Sequence, residues 1–145
     1  MFLKAGIEAT PTPQVLKEIW SKLALNICTL PNSALLRFCA PQLVQHQPMM
    51  DLMRALLQEV VAVARAQKID LDFNERWEAI TGLLQRLAPS AKGSMLQDVE
   101  KQRVTEIDVI NGAVVEAGKR LNIPTPYNQA MVWMMKSLEE TFPPR

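Results

Sequence analysis

Four polar side chains in this sequence stand beside apolar or small-residue segments in positions where chemistry is conceivable: Lys22, Asn26, Ser94 and Glu106. They offer an ammonium, an amide, a hydroxyl and a carboxylate. Lys22 and Asn26 follow Glu18 at intervals of four, so the three stack along one edge of a helix. A Glu18–Lys22 ion pair is the ordinary account of such a lysine. The amide of Asn26, between Leu25 and Ile27, must either face water or find a partner inside. Ser94 closes Ser90-Ala91-Lys92-Gly93-Ser94, a loop rich in small residues that lets a backbone or a ligand come close. Glu106 belongs to Thr105-Glu106-Ile107-Asp108, the Thr-x-x-acid form of a helix capping box. A carboxylate at a first helical position is already explained by the unpaired N–H groups there. Taken singly, each of the four has a sufficient structural account.

Other chemistries lack their parts. His46 is the only histidine and lies in Gln45-His46-Gln47-Pro48 without other ligand types at metal spacing, so no metal site is expected. There is no CxxC, HExxH or GxSxG, and no Gly-rich phosphate loop, which argues against dinucleotide binding by this chain alone. With 16 basic against 15 acidic side chains, no global field draws the chain to nucleic acid or an anionic membrane.

The elements that must carry these residues are helical. At 145 residues and 48% hydrophobic, the chain is of single-domain size with enough apolar content for a core. Cys28 and Cys39 lie in apolar surroundings that suit buried, reduced thiols, and no signal peptide or membrane span opens the chain, so a cytoplasmic protein is expected. Residues 1–11 read as a linker or entering segment, with a helical domain over 12–145. Thr12-Pro13 starts a helix whose Val15, Ile19, Leu23 and Ile27 form an apolar stripe and which Pro31 ends. Asn32-Ser33 then caps a short helix that stops at Pro41. A long, widely apolar helix runs from Pro48 to about Gln67, and a third is capped by Asn74 and stopped by Pro89. A short helix follows from Ser94 to about Lys101. Another begins near Glu106 and ends at Asn122, and Thr125-Pro126 opens the last. Gly112 and Gly118 are sites where a neighbouring helix could come near. The expectation is an all-α bundle of about five long and two or three short helices, without a convincing strand.

Read together, Lys22-Leu23-Ala24-Leu25-Asn26 before Pro31, Ser94-Met95-Leu96-Gln97-Asp98, Thr105-Glu106-Ile107-Asp108, Asn111-Gly112 and Ile123-Pro124-Thr125-Pro126 with Asn128 resemble the C-terminal domain of the ketopantoate reductases. The resemblance covers nearly the whole chain. It implies a helical bundle of the 6-phosphogluconate dehydrogenase C-terminal type, the substrate-binding and catalytic half of an NADPH-dependent 2-oxo acid reductase resembling 2-dehydropantoate 2-reductase of pantothenate synthesis. It further implies that Lys22 is the catalytic general acid, that Asn26 and Ser94 bind substrate, and that Glu106 contacts the cofactor's ribose side and helps order the lysine.

Two positions depart from the family pattern. Leu30 stands where the family often has asparagine, and a further asparagine expected near Ala40 is not found, which points to a different or less polar 2-oxo acid, with Asn32 the amide able to substitute from across the turn. The larger departure is the absence of the preceding Rossmann domain, which carries most of the NADPH binding in such enzymes. The implied partners are therefore a 2-oxo acid, a Rossmann domain in cis or trans, and a second copy in a homodimer, and the chain alone is expected to be inactive. The competing expectation is a non-catalytic helical interaction or dimerisation module that keeps the fold.

Overall fold

A computed structural model describes residues 11–144, so the entering segment proposed for 1–11 lies almost wholly outside the described residues. Six α-helices are present: α1 (Pro13–Leu36), α2 (Gln47–Ala66), α3 (Phe73–Arg86), α4 (Ser94–Glu100), α5 (Asn111–Leu121) and α6 (Pro126–Glu139). Two 3-10 turns, Ala40–Val44 and Ile107–Val109, complete the set, and no strand occurs among the described residues. The all-α expectation, with five long elements and three short ones, is met. α1 packs most extensively against α4 and α2, and α5 against α6. Ile27, Leu43, Met53, Leu56, Leu57, Met95, Met131 and Met135 are fully buried between them. Each such side chain contributes about 1.5–3 kcal/mol by leaving water.

Helix α1 is the main correction to the sequence reading. It does not end at Pro31 but runs through it for 24 residues, and no separate short helix follows. Proline removes one N–H and crowds the carbonyl four residues back. Neighbouring side chains add bonds on either side of the carbonyl so affected, that of Ile27: Asn32 Nδ2 donates to Cys28 O at 2.8 Å, and Thr29 Oγ1 donates to Leu25 O at 2.7 Å. Asn32 is therefore spent inside the helix and buried, and cannot stand in for a missing substrate amide. The true stop is Arg37 in the left-handed region at φ 61°, its N–H donating to Ser33 O. Pro41 lies within the 3-10 turn rather than ending a helix.

Two expected caps move. Asp72, not Asn74, caps α3, accepting from Glu75 N at 2.8 Å. The Thr105 capping box does not form: Thr105 N donates to Glu139 Oε2 at 2.8 Å, and Thr105 Oγ1, which donates to the same oxygen at 2.5 Å, accepts from Ile107 N two residues on, at 3.3 Å, and not from Asp108 N. The helix consequently starts at Asn111, after the 3-10 turn.

The start of α6 has a cap that lies far off in the chain. Thr125 makes no side-chain cap. Instead the buried carboxylate of Glu59, on α2, accepts from Tyr127 N and Asn128 N, both at 2.9 Å, and from Asn128 Nδ2 at 2.8 Å. Asn128 Oδ1 in turn accepts from Asn111 Nδ2 at 3.1 Å. Asn111-Gly112 and Asn128, which belong to the recognised pattern, thus form a structural seam. Gly118 is the other fixed point. A Cβ there would stand 2.7 Å from Ile123 O and 2.9 Å from Thr125 Cγ2, so what comes near is the returning loop rather than a helix.

Candidate functional site

The apolar stripe of α1 is not uniformly buried. Ile27 is sealed in the core, but Val15 and Ile19 are more than a third exposed. Towards its start the stripe faces an open cavity of about 650 Å³. Leu16, Trp20 and Leu23 form one wall, and Val109, Ile110 and Ala113 the other. Lys22, Asn26 and Glu106 all line this cavity, with Gln67 and Arg120 on its rim. The fold therefore brings together three of the four predicted site residues from two distant parts of the chain.

Their freedom has local causes. Thr12 Oγ1 accepts from Val15 N at 3.2 Å and Pro13 takes the first position, which starts α1 in the register that puts Lys22 and Asn26 one turn apart on the cavity edge. The expected Glu18–Lys22 pair is not made. Glu18 accepts from Gln14 Nε2 at 3.3 Å, and it is Lys17 that approaches Asp70 and Glu75, at 3.8 and 4.0 Å. Among the described residues, Lys22 has no carboxylate within ion-pair distance, and Asn26 has no hydrogen-bond partner for its side chain. Glu106 is left free by its neighbours. On one side Thr105 is tied to Glu139, and on the other Asp108 Oδ2 accepts from Lys136 Nζ at 2.7 Å. With both flanks pinned to α6 and Ile107 buried, the exposed Glu106 carboxylate is presented to the cavity.

Ser94 stands apart. It is exposed at the first residue of α4 and lines neither the main cavity nor the pockets beside it. Its neighbour Gly93 lines a second, smaller pocket of about 170 Å³, which shares Asn26 with the main cavity and also contains Leu30 and Ala40. A third recess carries what the sequence reading missed. Lys22 is joined there by Arg76 and Arg86 of α3, with Ser21 between the helices. Arg76 Nη2 donates to Glu75 Oε1 at 3.1 Å, while its Nε is buried without a partner. Three cations converge on one end of the site although the chain is nearly neutral overall. Arg76 and Arg86 are ten apart on one helix, a spacing that carries no signal until α1 and α3 are seen to meet.

Comparison with known proteins follows this geometry. Residues 14–139 match the family described as ketopantoate reductase PanE/ApbA C terminal. A 2-dehydropantoate 2-reductase of Vibrio cholerae serotype O1 is 32% identical over 142 residues, covering 98% of this chain and 47% of that protein. A solved 2-dehydropantoate 2-reductase from Methylococcus capsulatus superposes with a TM-score of 0.78 at 28% identity, over 89% of this chain and 44% of the other. D-mandelate dehydrogenase shares the fold, with a TM-score of 0.85 at 24% identity over 94% of this chain and 45% of the other. The chain spans about half the length of the curated relatives it matches.

Proposed function

The chain belongs to the ketopantoate reductase family as its helical C-terminal domain, and from that premise we propose that it is the substrate-binding and catalytic half of a cytoplasmic, NADPH-dependent 2-oxo acid reductase. The carrying observation is that Lys22, Asn26 and Glu106, which the fold could have paired off, line one open cavity without side-chain partners among the described residues.

A 2-oxo acid presents a carboxylate and a ketone. The cations Lys22, Arg76 and Arg86 favour the anion's arrival. Asn26, one turn from Lys22, supplies an amide to orient it. As the ketone carbon accepts hydride, negative charge develops on its oxygen, and Lys22 Nζ is the charged donor that stabilises this charge and yields the proton. NADPH, when bound, supplies the hydride. The residues here suit only its edge: the unpartnered Glu106 carboxylate is the acceptor a ribose hydroxyl requires, and the apolar wall at Val109 and Ile110 excludes water from the transfer. The remainder of the cofactor belongs to a nucleotide-binding domain of Rossmann type. The role of a further substrate donor comes to Ser94 from the family resemblance alone, since it lines none of these pockets. A non-catalytic module would need none of these free polar groups.

The test is to join the chain behind the N-terminal half of the Vibrio cholerae relative and follow NADPH oxidation with 2-oxo acids. The joined protein is expected to turn over, and the chain alone is not. A joined protein that binds NADPH yet reduces no 2-oxo acid overturns the reading.

A further inference from the structure

We infer that the small pocket behind Asn26 selects 2-oxo acids with an apolar side chain over those carrying a hydroxyl. The inference rests on the function proposed above and narrows its substrate class. Asn26 lines both the main cavity and this pocket, so a ligand held by Lys22 and Asn26 has its remaining substituent at the pocket mouth. The volume of about 170 Å³ is several times the roughly 30 Å³ that a water occupies in the liquid, which is room for a branched alkyl group.

The wall decides what enters. Leu30 and Ala40, at and near the positions where the family pattern leads one to expect asparagine, fall in this same pocket, and Leu83 of α3 and Leu87 just beyond its end close it. Gly93 belongs to the arrangement, since a Cβ there would stand 2.9 Å from Leu30 Cδ2. Few polar groups remain. Three polar side chains line it: the Thr29 hydroxyl, which donates to Leu25 O and keeps only its acceptor capacity, the Ser33 hydroxyl, set back at 2% exposure, and Asn26 at the mouth. A hydroxyl carried into this space gives up its water partners and recovers little.

The test uses the full chain and two ligands that differ at one group: ketopantoate and its deoxy analogue, in which hydrogen replaces the hydroxyl. NMR titration with methyl-labelled Leu and Ala is expected to show the deoxy analogue shifting Leu30, Ala40 and Leu83 and binding roughly 10- to 100-fold more tightly than ketopantoate. Ala40→Asn is expected to shrink that ratio. Equal or tighter binding of ketopantoate overturns the inference and leaves the proposed function standing. So do shifts at the Leu23 and Ala113 methyls of the main cavity without shifts at the pocket methyls, or a ratio that Ala40→Asn leaves unchanged. No shift anywhere with either ligand overturns this inference, and the proposed function is then decided separately by whether the joined protein reduces 2-oxo acids.

Discussion

The seam joining α2, α5 and α6 and the cavity edge along α1 use the same kinds of side chain in opposite ways. In the seam, the buried Glu59 carboxylate is bonded to the Asn128 amide and to two helix N–H groups, and Asn111 donates to Asn128 Oδ1 while its own Oδ1 is buried without a partner. On the cavity edge, the Glu106 carboxylate, the Asn26 amide and the Lys22 ammonium have no side-chain partners among the described residues. Residue type alone does not separate structural from functional polar groups. What separates them is whether the fold has already used their hydrogen-bonding capacity. A bonded group stabilises the chain, while an unbonded one keeps its interaction free energy for a ligand.

Exchanging the two regions' roles tests this contrast. The largest expected effect is on activity: in the joined reductase, Lys22→Ala should lower kcat by roughly 100- to 10,000-fold, while denaturant unfolding moves by no more than about 0.5 kcal/mol. A large loss of stability would place Lys22 with the seam. Next is Glu59→Ala, which strands two backbone N–H groups and an amide. It should cost about 2–4 kcal/mol in urea unfolding, with Glu59→Gln recovering part through its remaining acceptor. Unchanged stability would show that the seam does not hold the fold. Gly118→Ala should cost about 1–3 kcal/mol, because the obstruction is the Ile123 backbone carbonyl and not a side-chain tip that can swing away. The smallest effect concerns the pins beside Glu106. The Asp108 carboxylate raises the Lys136 ammonium above its ordinary value. That contribution is fully present below the ordinary lysine pKa and lost as pH rises through the raised one. Both groups are exposed, so alkaline titration of unfolding should show less than ~1 kcal/mol, absent in Asp108→Asn.

Cys28 shows the same division in a thiol. Burial pushes it up to about 12, and its Sγ donates to Met53 O at 3.6 Å. Thiol reagents near neutral pH should modify the half-exposed Cys39 and spare Cys28 until the chain unfolds.

Helix existence was legible because the apolar periods of α2, α3 and α6 are long and regular, and the row of Lys22 and Asn26 followed from spacing by four. The failures share a cause. Pro31 reads as a stop because nothing in one dimension shows that Pro31, Asn32, Ser33 and Ala34 will all be buried in the packed fold, with α1 running on through them. Thr105 reads as a cap because Glu139, its actual partner, lies 34 residues away. Glu59 appears as one more charged residue on a long helix, since the N–H groups it receives come 68 and 69 residues later. The meeting of Glu106 with Lys22 could be reached in advance only through family resemblance, and Arg76 and Arg86 entered only once α1 and α3 were packed.

The distant cap of α6 also bears on the order in which the chain can assemble. A helix of 14 residues is marginal in water by itself, and α6 cannot close its first turn with Thr125. Its completion waits for a contact that closes a loop of 69 residues, an entropic cost met only after α2 is in place. α6 is thus a late element, the latch of the folding reaction rather than its nucleus. Because its residues also hold Thr105 and Asp108, the presentation of Glu106 to the cavity is among the last features the chain acquires, and among the first a partial unfolding would remove.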